Sequence, residues 1–205
     1  MGLSETLARI AIDCRNINAD YDYWDVITKN GGGNKRGDAV YWFKYVWEQI
    51  PQDYLYEIYK DMFGNVECGN YYKDFFDKSL LEQIATVNKH DTVYNPALIS
   101  LLDEKGFLTV YHGHSKPTMR YSNSWTLKKD VAMWFGKRNS GFHQSPDFYC
   151  VTGKVKLDDV IAFVTDRNED EIVVLQRYVK NKEKEFYKSA DFEMEAYYVI
   201  REVAV

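Results

Sequence analysis

The stretch FLTVYHGHS, residues 107–115, is where the texture of this chain changes. Ahead of it, apolar residues recur at helical spacing. From it onward the sequence breaks into short β-branched and aromatic runs bounded by turn residues. FLTVYHG reads as a strand, and so do DFYCVTGKVKL, VIAFV, EIVVLQRYV and EAYYVIREVAV. One helix is predicted among them, TLKKDVAMWFGKR, with Thr126 as its cap and Val131, Trp134 and Phe135 as its apolar stripe. Further back, Leu7, Ile10, Ala11, Cys14 and Ile17 share one helical face. The glycines of NGGGNKRGD, residues 30–38, interrupt that pattern; no Lys-Ser/Thr pair follows as a phosphate loop requires, so the segment reads as a mobile loop. Asp38 is expected to cap a helix through AVYWFKYVWEQI, and Pro51 to open another through QDYLYEIYKDMF that ends at Gly64. YYKDFFDKSLLEQIATV and PALISLLDEKG continue the helices, the second from Pro96 to Gly106. The expected class is α+β, with a helical region over residues 1–105 packed on a strand-rich core over residues 106–205.

Bulk properties narrow the function. The chain has 205 residues and a formal charge of −5, which argues against nonspecific nucleic-acid binding by the whole surface while leaving a local basic patch open. Its 17 Tyr, 11 Phe and 5 Trp suit cores, partner surfaces and ligand clefts alike. Cys14, Cys68 and Cys150 show neither zinc-site nor disulfide spacing. Gly2 and Thr6 meet only part of a myristoylation pattern, and no apolar run has the length of a signal core or a membrane span. The expectation is a soluble cytoplasmic protein without membrane contact. His112 and His114 share a strand face and suggest a metal, with His143 or Cys150 as further ligands, but three converging ligands are needed and no second spaced pair exists. No metal is expected.

Three segments carry chemistry together: Tyr111-His112-Gly113-His114-Ser115 at a strand end, Ser124-Trp125-Thr126 leading into the helix that ends FGKR, and Glu169-Asp170-Glu171 before an apolar strand. In this order, over residues 107–179, the chain resembles the NAD-binding core of mono-ADP-ribosyltransferases, including small prokaryotic and phage-type members. His112-Gly113 resembles the His-Gly of the diphtheria-toxin and poly-ADP-ribose-polymerase subclass. Ser124-Trp125-Thr126 and Glu169-Asp170-Glu171 resemble the Ser-x-Thr and Glu-x-Glu of the Arg-Ser-Glu subclass. The mixture leaves the subclass open.

The resemblance implies a split, mostly antiparallel β-sandwich with a cleft for NAD as co-substrate. Cleaving the nicotinamide–ribose bond develops an oxocarbenium-like cation, which a carboxylate stabilises most in the transition state. By the family pattern Glu171 takes that role and holds a ribose hydroxyl, with Ser124 orienting it. Glu169, expected on the same strand face by alternation, would serve as base for the incoming nucleophile. His112 would bind the adenosine-side ribose, and the Gly113 backbone would hold the nicotinamide amide, a glycine allowing close approach. Tyr111, Trp125 or Phe135 would wall the nicotinamide ring, Thr126 would complete the Ser-x-Thr segment of the cofactor site, and Arg138 would meet the pyrophosphate.

The resemblance implies transfer of ADP-ribose to a macromolecular acceptor, a protein rather than a nucleic acid, in the setting of a toxin or a phage- or host-directed effector. NAD glycohydrolysis, with water as acceptor, and a catalytically inactive binding protein of the same fold are the alternatives. The helical half is expected to complete a core, or else to offer Tyr21, Tyr23, Trp24, Tyr71 and Tyr72 as anchors for an acceptor. Nothing in the sequence sets the oligomeric state.

Overall fold

The computed structural model describes residues 3–20, 22–30, 36–64, 72–115, 123–165 and 169–192. Two compact units divide the chain, Met1–Lys89 and His90–Val205, so the boundary falls earlier than the change of texture at Gly106. The reason lies in the intervening segment. Leu98 belongs to the apolar cluster of the sheet, and the Lys154 ammonium bonds the Asp103 carboxylate at 2.9 Å.

The first unit holds α1 (Leu3–Cys14), α2 (Asp22–Lys29), α3 (Arg36–Val46), α4 (Gln52–Gly64) and α5 (Lys78–Val87). Much of the aromatic content is spent here as core. Phe43 stacks on Phe75 at 5.4 Å between centroids, and Tyr59 meets Phe75 at 5.8 Å. Tyr23 is fully buried and donates its hydroxyl hydrogen to the Ala39 carbonyl, 2.7 Å. Tyr23 is therefore a core residue and no surface anchor. Trp24 is half-buried, its indole N–H bonded to Asp61 at 2.5 Å. Tyr21 and Tyr71, the side chain of Tyr72, the centre of the 30–38 loop, Cys68 and the expected strand at residues 195–205 lie outside the described residues.

Several helix boundaries differ from expectation. Asp38 sits inside the first turn of α3, where its carboxylate favours the positive end of the helix dipole instead of capping it. Asp77 supplies an unforeseen cap, accepting from Ser79 N at 2.9 Å and Leu80 N at 3.3 Å, so the segment beginning at Tyr72 is a 3-10 turn followed by α5. The helix opened by Pro96 lasts one turn, α6 (Pro96–Ile99), capped by Asn95. Asp103 and Gly106, at φ 76°, then build a turn into the first strand in which Asp103 Oδ1 accepts from Lys105 N and Phe107 N.

The second unit is built on β1 (Leu108–His114), β2 (Ser124–Thr126), β3 (Asp147–Val155), β4 (Val160–Val164), β5 (Glu171–Val174) and β6 (Lys180–Lys188), with α7 (Lys129–Phe142) between β2 and β3. The strands form one antiparallel sheet in the order β4-β5-β2-β1-β3-β6. Among the described residues there is a single sheet where two packed sheets were expected. The protein is α+β.

Register assigns the faces. Tyr111 pairs with Thr126 and Thr152, Gly113 with Cys150, and Thr126 with Glu171, so these side chains share one face of the sheet. Val110, Trp125, Val151 and Ile172 point to the other. There one contiguous cluster takes in Leu108, Val155, Val160, Phe163, Val174 and Val179. Gly153 lies on that face, where a Cβ would come within 2.3 Å of Val179 Cγ1, so its lack of a side chain makes room for Val179. Helix α7 covers the first face. A Cβ on Gly113 would lie 1.7 Å from the Ala132 carbonyl oxygen and 2.6 Å from Gly136 N, so the glycine is what lets helix and strand meet.

Candidate functional site

β1 and β2 part company early. Their pairing is registered at Tyr111↔Thr126, whereas β1 and β3 stay paired from Leu108 to His114. The next hydrogen-bonded pair in the β1–β2 register would be Gly113 with Ser124. Instead the Ser124 carbonyl meets the imidazole of His112, Nδ1 to O at 3.0 Å. On the far side of β2 the ladder with β5 is intact, Ser124 opposite Val173 and Thr126 opposite Glu171. The Ser124 hydroxyl donates to the Glu171 carboxylate along that face. Ser124 thus ties His112 on β1 to Glu171 on β5 through its two oxygens, at the point where the sheet opens.

The tautomer of His112 follows from this partner. A carbonyl oxygen only accepts, so Nδ1 carries the hydrogen and Nε2 of the neutral ring is an acceptor. Burial holds His112 neutral, helped by His114 at 6.0 Å between ring centroids and opposed by the Ser124 hydrogen bond, and the ring is pushed down to about 4. The Nε2 lone pair of the neutral ring suits a partner that donates, such as a sugar hydroxyl.

A consequence for stability follows in acid. The folded ring resists protonation to about 4, while the unfolded ring takes a proton near 6.5. Between those values the unfolded chain binds more protons, so stability falls as pH drops through the window and the contribution is whole above it. Because the ring is only half-buried by its accessible surface, the loss is on the order of 1–3 kcal/mol. Urea unfolding at about pH 7 and about pH 4.5 is expected to show a larger drop for the wild type than for His112→Asn, which keeps a donor but does not titrate. Equal drops in the two proteins would remove His112 as the cause.

The remaining predicted residues divide into those the fold brings to this point and those it uses elsewhere. Tyr111 is half-buried on the face that also carries Thr126 and Glu171. Thr126 ends β2 and does not cap α7, which begins at Lys129 after Lys128. Its hydroxyl donates to the Glu169 carbonyl at 2.5 Å and accepts from Lys128 N at 3.0 Å, clasping the turn that carries the glutamates. Glu169 is not on the strand. β5 starts at Glu171, and Asp170 has φ 44°, so the alternation that would align the two carboxylates stops there. Glu169 is 6% exposed, Glu171 half-buried.

Trp125 is 1% exposed within the apolar cluster, a core residue and not a wall open to a ligand. Phe135 is half-buried on α7 and edge-on to Trp134 at 4.9 Å. Arg138 is exposed, its guanidinium 5.4 Å from the Trp134 centroid and 5.3 Å from that of Phe142, lying along its own helix. Gly113 is accounted for by α7, so its lack of a side chain needs no ligand to explain it. Cys150 projects away from His112 and His114, and burial pushes its thiol up to about 11. Among the described residues no three His, Cys, Asp or Glu side chains converge as a metal site would need, and no helix is long and apolar enough to cross a membrane.

The feature the sequence reading missed is the ring ladder that leaves this site. His114 stacks on Tyr149 at 5.2 Å, and Tyr149 meets Phe186 at 5.4 Å. It ends on β6, a strand the sequence reading did not foresee. These residues define an α+β protein whose antiparallel sheet opens between β1 and β2 around a His–Ser–Glu connection. No family model, curated protein or solved structure matches this chain.

Proposed function

We propose that this protein binds NAD where β1 and β2 diverge and transfers its ADP-ribose to a macromolecule, releasing nicotinamide. The observation that carries the reading is the double use of Ser124, its hydroxyl on the Glu171 carboxylate and its carbonyl at the His112 ring. These are three residues of the ADP-ribosyltransferase pattern, from three different strands, in hydrogen-bonded sequence. In the reaction the bond from ribose C1′ to the nicotinamide nitrogen breaks, and its electron pair leaves with nicotinamide. The positive charge that develops on the ribose is met by the Glu171 carboxylate, whose orientation Ser124 maintains. A lone pair of the acceptor forms the new bond to C1′, and the acceptor's proton is released. Glu171, half-buried, is more open to an incoming group than Glu169, so the base role assigned to Glu169 from the family pattern has less support than the role of Glu171.

The test is nicotinamide release from labelled NAD by the purified chain, with and without cell lysate. Release that rises with lysate and leaves label on another molecule is the expected result. Release without labelling would favour water as acceptor, and no release together with no NAD binding would overturn the proposal. In the same assay Ser124→Ala is expected to lower the rate about tenfold, since it frees the orientation of Glu171 without removing its charge. Ser124→Thr, which keeps the hydroxyl, should recover part of it. A merely structural serine would change the melting temperature and leave the rate per folded molecule unaltered.

A further inference from the structure

We propose that one face of β6, together with Tyr149, binds single-stranded nucleic acid. The strand reads KNKEKEFYK over Lys180–Lys188. Its lysines all fall on even numbers and both glutamates on odd ones, and a strand sends alternate side chains to opposite faces. Register carries this into the sheet. Val151 pairs with Lys184 and Tyr149 with Phe186, so Lys182, Lys184, Phe186 and Lys188 line the face that also bears His112 and His114. Glu183 and Glu185 line the other, where Glu185 is bonded to Lys129 of α7 at 2.6 Å. Asn181, at φ 48°, marks the bulge beyond which Lys180 is out of phase.

Charge on an edge strand by itself discourages pairing with other chains. That role is served by either sign at any exposed position, and it accounts neither for the sorting of signs nor for an exposed aromatic. Phe186 is 54% exposed among the lysines, and it continues the ladder His112, His114, Tyr149 that begins at the Ser124 carbonyl. The Lys184 ammonium lies 3.7 Å from the Tyr149 centroid, and Lys182 is held by the Gln176 carbonyl at 3.0 Å, so the cations are positioned. Asp147, opposite Lys188, is the carboxylate on this face. A row of ammonium groups beside an exposed ring matches a backbone of phosphates carrying bases that stack. The formal charge of −5 argues against a partner covering the whole surface and favours a strand confined to this stripe.

The experiment is fluorescence anisotropy of the full chain with labelled single-stranded DNA and RNA of about 15 nucleotides, at low and at moderate salt, without NAD. Because NAD is absent, the result is independent of whether the chain cleaves it. Expected are binding that weakens with salt, and a loss of about tenfold or more in Lys182→Glu/Lys184→Glu and in Phe186→Ala. Lys78→Glu, an exposed lysine of α5, should leave the affinity alone. Near-UV circular dichroism verifies folding, and the milder Lys184→Gln should weaken binding in the same direction. Absence of binding at low salt, affinity indifferent to the β6 variants, or a polyglutamate peptide bound as tightly and with the same sensitivity would overturn the surface.

Discussion

Glu171→Gln is expected to cut the rate of nicotinamide release from NAD by about a hundredfold to a thousandfold while leaving the fold intact. The substitution is nearly isosteric, and the glutamine carbonyl still accepts from the Ser124 hydroxyl, so the β2–β5 connection at this point survives. What is lost is the negative charge. The ground state of NAD gains little from that charge, whereas the oxocarbenium-like transition state concentrates positive charge beside it, so the loss falls on kcat more than on KM. The thousandfold end corresponds to about 4 kcal/mol of differential stabilisation. The check is the initial rate of nicotinamide release beside a thermal melt. An unchanged melt with a collapsed rate is the expected pair. A Glu171→Gln protein that releases nicotinamide at the wild-type rate would show that Glu171 is not the catalytic carboxylate.

Gly113→Ala is expected to cost more than about 4 kcal/mol, enough to unfold most of the population. The added methyl would lie 1.7 Å from the Ala132 carbonyl oxygen, and both nearest obstacles are backbone atoms of α7 with no rotamer to adopt. The helix would have to lift from β1. Two other glycines calibrate the effect. Gly141→Ala, within α7 with nothing inside 4 Å, should stabilise by up to about 1 kcal/mol, and Gly106→Ala, at φ 76°, should destabilise by about 1 kcal/mol through backbone strain alone. Chemical denaturation of the three variants separates the causes. A Gly113→Ala protein that folds normally yet fails to bind NAD would return the glycine to the ligand, as the family pattern has it.

Legibility followed the physics of each element. β1 and β4 were readable because their β-branched and aromatic residues are the ones that a half-buried pleated surface takes up. β6 escaped because it is exposed along nearly its whole length, so no hydrophobic period marks it. Its sorted lysines and glutamates were the signal available. The helix expected from Pro96 to Gly106 shrank to one turn because Leu98 joins the sheet's cluster and Asp103 organises a turn, neither of which is visible in a 3.6-residue period. Trp125 was expected to wall the nicotinamide ring, and only its register with Ile172 placed it in the core.

The candidate site divides in the same way. The resemblance to the ADP-ribosyltransferase pattern, carried by residue identities and chain order, is what put His112, Ser124 and Glu171 forward as candidates. The sequence by itself also determined the α+β class and the place where helices give way to strands. Only the tertiary structure decided that β2 lies between β5 and β1, so that one serine reaches a glutamate on one side and a histidine on the other. It alone showed that Glu169 is turned off the strand by the left-handed Asp170, and that Gly113 answers to a helix. The physical reason is common to all three. Strand order, backbone handedness at a single residue and the approach of a helix to a strand are set by contacts between segments distant along the chain, and no local pattern of side chains encodes them.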